Sequence, residues 1–234
     1  MNRSWNAHRL TTAAALAAWA GLFWTLLLSG RTALFLSSRT AWVAPLGAGL
    51  LTIAAAGRLL TSRTTHRRRL TPKTASAAGF LVLPVVAVLV LPPATLGSFA
   101  VARRSAVGAG YVASGADISS GPVTLNDVVA AMWSPKGMEQ LSRRAGSTVS
   151  FVGFVDRREG MAASEFLLTR FVVSCCVADA LSVQVRVVGA QPDALQEDQW
   201  VRVTGTLYPL PQEAVVKAST IESVPRPARP YLDA

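Results

Sequence analysis

Hydrophobic and polar residues follow different patterns in the two halves of this chain. Three apolar stretches without charged residues occupy the first hundred positions, at 10–28, 40–57 and 77–98. A membrane-spanning helix needs about 20 consecutive apolar residues, so these stretches predict three spans. Beyond residue 147 the apolar positions instead alternate with a period of two, which is typical of β-strands.

The alternating region predicts five strands, at 148–156, 165–176, 181–188, 200–207 and 213–221. Gly153 and Gly205 fall inside strand patterns, where a glycine often marks a bulge or a tight bend. Five short strands with such bends fit a small closed barrel of the OB type. A fragment of a β-sandwich is the alternative.

The chain divides into four parts: a transmembrane anchor at 1–102, a linker with short amphipathic helices at 103–146, an OB-like β-barrel at 147–224 and an extended tail at 225–234. Within the second part, Thr124 precedes apolar residues at helical spacing and is therefore placed to cap a helix. The Ser134-Pro135 step ends that helix and starts a second one. The expected fold class is a membrane α-helical region with three spans plus a small all-β barrel with a short helical segment before it.

Charge placement predicts the orientation in the membrane. The chain has 23 basic and 13 acidic residues, and residues 1–99 contain no acid, so the whole excess of +10 lies in the first part. Six basic residues occupy the loop at 58–73, and such a loop marks the cytoplasmic side. The N-terminus is then cytoplasmic and the barrel extracytoplasmic, in a multi-pass protein of the cell membrane. The alternative for the first stretch is a cleaved signal peptide, but no small-x-small cleavage site follows it.

Several function classes fit this sequence poorly. Nucleic-acid binding is not expected, because the basic excess flanks the apolar stretches and the central strands offer only Phe166 and Phe171 for stacking on bases. Hydrolysis by a Ser/His/Asp set is not expected either, since the two histidines, His8 and His66, both lie in the membrane half. The chain also has no CxxC pair and no Gly-rich phosphate loop. We therefore expect a protein that is not an enzyme.

Both cysteines of the chain lie side by side in the segment 170–180, at Cys175 and Cys176. Alternate residues of a strand share a face, so a strand through this segment puts Cys175 in the core and Cys176 nearer the surface. Asp179, in the following turn, is close enough in sequence to approach Cys176. Arg170 lies about 20 Å from Cys176 along a strand at about 3.3 Å per residue, so we expect it to support the barrel structurally.

Three interpretations of the cysteine pair remain open. Both thiols can simply fill space in the barrel, as free cysteines often do. They can form a soft-metal site with Asp179, although three ligands do not close a four-coordinate zinc site. They can also take part in redox chemistry, including an adjacent-residue disulfide, which oxidising conditions outside the cytoplasm favour. The candidate cofactor is accordingly a soft divalent metal ion.

Short motifs spread over the chain carry a family resemblance. They are Pro93-Ala-Thr-Leu96, Gly153-Phe-Val155, Arg170-Phe-Val-Val-Ser-Cys-Cys-Val-Ala-Asp-Ala180, Trp200-Val-Arg-Val-Thr-Gly205 and Pro230-Tyr231. Through them nearly the whole chain resembles the YcgQ-type family of permease subunits, which are bacterial membrane proteins. Some relatives have a His-rich loop between the second and third spans, whereas the loop here is basic and contains only His66.

The resemblance implies a non-enzymatic accessory subunit that works in the lipid bilayer beside a larger multi-span permease, in the context of metal homeostasis. The external barrel would then gate the permease or capture its substrate. The alternative, from a different class, is a membrane-anchored thiol or metal sensor that acts through Cys175 and Cys176.

Overall fold

The computed structural model describes residues 4–5, 7–64, 72–91, 95–103, 121–132, 134–189, 195–211 and 213–233. The chain forms two compact units, Met1–Ala94 and Thr95–Ala234. In the second unit, Val101 belongs to a hydrophobic cluster against which Leu96 and Ala100 pack.

The first unit consists of three helices: α1 (Ala7–Leu28), α2 (Val43–Leu60) and α3 (Pro72–Val90). A 3₁₀ turn at Arg31–Leu34 follows α1, and the two-residue strands β1 (Ser4–Trp5) and β2 (Arg63–Thr64) pair antiparallel. The buried residues of α1 and α2 are mostly alanines, which allow helices to approach closely.

Helices α1 and α2 are long and apolar enough to cross a membrane, which is weak evidence for a membrane protein. They match two of the predicted spans. The third helix is shorter than the span predicted at 77–98. Helix α3 ends at Val90, and its apolar part covers Ser76–Val90. The residues around 98 instead form a separate short helix, α4 (Ser98–Val101).

The second unit continues with two helices and six strands. They are α5 (Leu125–Ala131), α6 (Pro135–Arg143), β3 (Thr148–Asp156), β4 (Glu165–Val173), β5 (Leu181–Val188), β6 (Trp200–Pro209), β7 (Ala214–Ser223) and β8 (Leu232–Asp233). Thr124 caps α5 as predicted: its side chain accepts a hydrogen bond from the Asp127 backbone N–H, and the Asp127 carboxylate accepts one from the Thr124 N–H.

Strands β3 to β7 close into a five-stranded barrel, which confirms the predicted barrel. Strand β3 pairs with β4 and β6, β4 with β5, and β6 with β7, all antiparallel; the parallel pair β5–β7 completes the ring. The interior is filled by alternate residues of the strands, such as Phe151, Phe166 and Val183, and side chains of α5 and α6 pack against them.

Strand β4 is buried on both of its faces, contrary to the prediction of one core face. Val172 belongs to the barrel interior. Phe171 and Val173 point the other way and pack with Val101 of α4 and Tyr231 of the tail in a second cluster outside the barrel. The tail is also fixed by β8, which pairs parallel with the end of β4.

Gly205 offers a test of the barrel's closure. It lies at a register shift between β6 and β7, and an added Cβ would meet the Lys217 carbonyl oxygen at 2.2 Å. We expect Gly205→Ala to lower the free energy of unfolding by about 1–3 kcal/mol, the usual cost of overpacking. Chemical denaturation of the detergent-solubilised chain measures this change. Gly57→Ala is the matched control, since nothing lies within 4 Å of its added Cβ. Equal denaturation midpoints for the two variants would contradict the close contact described at the register shift.

Candidate metal centre

The two cysteines lie in the turn between β4 and β5, after the strand has ended at Val173. Cys175 is exposed and Cys176 is half-buried. The predictions that the strand runs to residue 176 and that Cys175 lies in the core are therefore wrong. A 3₁₀ turn at Val177–Asp179 then leads the chain back into β5.

The side chain of Asp179 determines where the strand stops. Its Oδ1 accepts a hydrogen bond from the backbone N–H of Ser174 at 2.9 Å. Its Oδ2 accepts two more, from the N–H of Cys175 at 2.7 Å and of Cys176 at 3.2 Å. These backbone groups bond to one carboxylate, so they do not continue a strand ladder. The Cys176-x-x-Asp179 spacing is that of a capping box, a signal that could have placed the turn from the sequence.

The turn brings the two thiols together. The Sγ atoms of Cys175 and Cys176 are 3.7 Å apart, and a carboxylate oxygen of Asp179 lies within 4.8 Å of both. The expectation that strand alternation separates the cysteines is therefore wrong, whereas the expected approach of Asp179 to Cys176 is confirmed. Over the described ranges, no other group of three His, Cys, Asp or Glu side chains converges in this way.

The protonation states of the turn follow from these hydrogen bonds. Hydrogen bonding to Asp179 and then to Cys176 raises the pKa of the Cys175 thiol to about 11. Partial burial alone would raise the pKa of Asp179, but hydrogen bonds from the Cys175 thiol and from the three backbone N–H groups outweigh it and lower that pKa. Near neutral pH the turn therefore holds a carboxylate beside a protonated Cys175, which is a weak nucleophile.

Arg170 contacts the tail of the chain. Its Nε donates to the Pro230 carbonyl at 3.1 Å and its guanidinium also donates to the Arg229 carbonyl at 2.9 Å. The guanidinium carbon lies 5.7 Å from the centre of the Trp200 ring. These contacts hold the segment before β8 against the barrel.

The domain is thus a small closed β-barrel with a dithiol–carboxylate turn, in a chain that begins with apolar helices. The family model of the DUF1980 C-terminal domain matches residues 114–232. That is more than half of the chain, which therefore belongs to the DUF1980 family. No curated protein sequence matches the chain significantly.

Among solved structures, one similar chain comes from a replication protein A heterotrimer bound to single-stranded DNA. It has a TM-score of 0.23 and 19% sequence identity, over 34% of this chain and 57% of that one. The alignment spans little more than half of that chain, and a similarity this weak carries no argument about function.

Replacing Asp179 tests the electrostatics of the turn. In Asp179→Asn the thiol of Cys175 loses its charged hydrogen-bond partner, so its pKa falls from about 11 towards the ordinary value of 9.0. As the pKa falls, the fraction of thiolate at pH 8 rises, whereas the nucleophilicity of the thiolate decreases. The rise in thiolate is the larger effect, so we expect alkylation of Cys175 by iodoacetamide at pH 8 to become faster on the order of tenfold. Peptide mass spectrometry over time measures the rate at each cysteine. Asp127→Asn, which alters another capping aspartate, serves as control; an unchanged Cys175 rate in Asp179→Asn would contradict the described hydrogen bonds.

Proposed function

We propose that this protein is a membrane-anchored subunit that binds a soft divalent metal ion through the thiols of Cys175 and Cys176. The observation that carries the proposal is the 3.7 Å separation of the two Sγ atoms on an exposed turn, with Asp179 in reach of both. Thiolates are the ligands that soft ions prefer, and an exposed turn leaves them accessible.

The sulfur separation favours a tetrahedral ion. Two Zn–S bonds of about 2.3 Å at a tetrahedral angle place the sulfur atoms about 3.8 Å apart. Linear coordination at the same bond length needs about 4.6 Å. The separation of 3.7 Å between Cys175 and Cys176 matches the tetrahedral value. A tetrahedral ion such as Zn²⁺ therefore suits this pair better than an ion with linear coordination.

The turn offers an incomplete set of ligands. The Asp179 oxygens already accept three backbone hydrogen bonds, so this carboxylate has little capacity left and serves mainly to hold the turn. Even with Asp179 as a ligand, a four-coordinate ion would keep one position open. An open position suits capture and transfer of an ion more than permanent structural binding.

The open position also favours the second candidate function, an accessory subunit of a larger permease. A partner side chain or a transported ion can complete the coordination sphere, so the barrel would capture or gate the substrate of the permease. The first unit supports a membrane location, because α2 and α3 expose large apolar side chains such as Leu50, Ile53 and Phe80. The other proposed partner is accordingly the lipid bilayer.

We further place three helices, α1 to α3, across the membrane, with the basic loop at 58–73 in the cytoplasm and the barrel outside it. The charge distribution supports this arrangement. Neither nucleic-acid binding nor catalysis is part of the proposal. A reporter that works only outside the cytoplasm should therefore be active when it is fused after Ala234.

Cobalt titration tests the metal site. Co²⁺ added to the reduced, detergent-solubilised chain should give thiolate-to-metal charge-transfer absorbance at one equivalent, and Zn²⁺ should displace it. The affinity should rise between pH 7 and 8 by up to about tenfold per pH unit for each thiol proton that the metal displaces, including the one that Cys175 holds there. Cys175→Ser and Cys176→Ser should each abolish the band.

The control for this titration is Glu139→Gln, which removes an exposed acid outside the turn and should leave the band unchanged. A band that persists in both serine variants, or no band in the unmodified chain, would rule out the dithiol site.

Crosslinking in intact membranes tests the permease hypothesis. A short amine-reactive or photoactivated crosslinker, followed by mass spectrometry, should join the barrel domain to a larger multi-span membrane protein. The same protein should co-purify in mild detergent. Recovery of the chain alone in both experiments would reject the accessory role while leaving the metal site to its own test.

A further inference from the structure

A second feature of the barrel domain involves none of the residues of the cysteine turn. A cavity of about 760 Å³ opens between α4, the end of β3 and the start of β5. Asp156, Ser182 and Gln184 lie on the outer side of these strands, opposite to the residues that fill the barrel. OB-type barrels bind ligands on the face of their second and third strands and on the loop after the first, which are β4, β5 and 157–164 here.

The cavity is bordered by carboxylates. Asp156 and Glu197 line it, and Asp198 is close enough for its charge to raise the pKa of both. Burial is the main cause of the raised pKa of Asp156 and of Glu197; the Asp156 side chain is 6% exposed, whereas Glu197 is an exposed residue. Arg158 Nε lies 3.7 Å from Asp156 Oδ2, which is a long contact from a half-exposed side chain. Among the residues that line the cavity, the three carboxylates of Asp156, Glu159 and Glu197 outnumber the two guanidinium groups of Arg157 and Arg158. A cation entering the cavity would therefore meet an excess of negative charge.

Ser182 supplies an independent sign of a ligand. Its side chain is 2% exposed and lines the cavity, yet its Oγ forms no hydrogen bond with any described residue. Buried hydroxyl groups are normally hydrogen-bonded, because an unsatisfied one costs free energy. The neighbouring polar groups already have partners: Gln184 Nε2 donates to Asp156 Oδ2 at 3.0 Å and to Thr169 Oγ1 at 3.2 Å. The Ser182 hydroxyl is thus left for a molecule in the cavity.

The arrangement of these groups distinguishes between kinds of cation. Among the described residues, only the cysteine turn brings three metal-ligand atoms within 4.8 Å of one another, so the carboxylates around the cavity do not form a metal cage. An ammonium group instead needs separate acceptors around it and space for an organic body. The cavity offers both, with the Phe99 ring among its apolar walls.

We propose that this cavity binds a small organic cation by its ammonium group, with Asp156 and Glu197 as counter-charges and Ser182 Oγ as a hydrogen-bond acceptor. Arg158 competes for Asp156 and has to give way as the ammonium group enters. The site is independent of the metal proposal, because it shares no residue with the cysteine turn.

Calorimetric titration of the detergent-solubilised full chain tests the proposal, with putrescine and spermidine as probes. At least one of them should bind saturably with one molecule per chain. The uncharged analogue 1,4-butanediol should not bind, and Mg²⁺ should not compete. In Ser182→Ala and Asp156→Asn the affinity should fall about tenfold or more, the effect of losing one hydrogen bond to a charged group. Arg158→Met should increase the affinity, because it removes the competing cation.

Glu139→Gln, an exposed acid that does not line the cavity, should bind the probes like the unmodified chain. Thermal unfolding confirms that each variant is folded. Absence of saturable binding for both amines would overturn the proposal. So would unchanged affinity in folded Ser182→Ala and Asp156→Asn, or tight binding of Mg²⁺ in place of the amines.

Discussion

The cysteine turn depends on one carboxylate that accepts three consecutive backbone N–H groups. Asp179 bonds to the N–H of Ser174, Cys175 and Cys176. These bonds end β4 at Val173 and turn the two cysteines to the same side. The same carboxylate raises the pKa of Cys175, so a single side chain governs both the geometry and the protonation of the site. A metal ion that binds in place of the thiol proton would leave a thiolate beside Asp179. The positive charge of the ion would then neutralise that thiolate.

The turn is attached to a well-buried base. Val172 and Val173, just before it, are buried in two different clusters, and Ala180, just after it, is buried as well. Strand β8 pairs with Val172 and Val173, while Arg170 bonds to the carbonyls of Arg229 and Pro230. Binding sites keep their geometry when they are built on such rigid elements. The tail is therefore part of the scaffold that positions the thiols.

The sequence predicts the barrel well because strand alternation is a local signal. The bounds of β3 and β5 follow directly from the alternating residues at 148–156 and 181–188. The end of β4 does not follow from alternation, because Cys175 and Cys176 extend the apolar character of the strand; the Cys176-x-x-Asp179 spacing is the sequence signal for the turn that interrupts it. The cavity could not be predicted either. Asp156 and Ser182 are distant in the chain and become neighbours only when β3 and β5 flank β4 in the closed barrel.

The central claim is that the vicinal cysteines are a two-sulfur site for a tetrahedral ion. X-ray absorption at the zinc edge of the reduced full chain, loaded with one equivalent of Zn²⁺, tests it most directly. The account predicts two sulfur neighbours at about 2.3 Å, with oxygen or nitrogen atoms completing the coordination. A spectrum that contains only oxygen and nitrogen neighbours would contradict it.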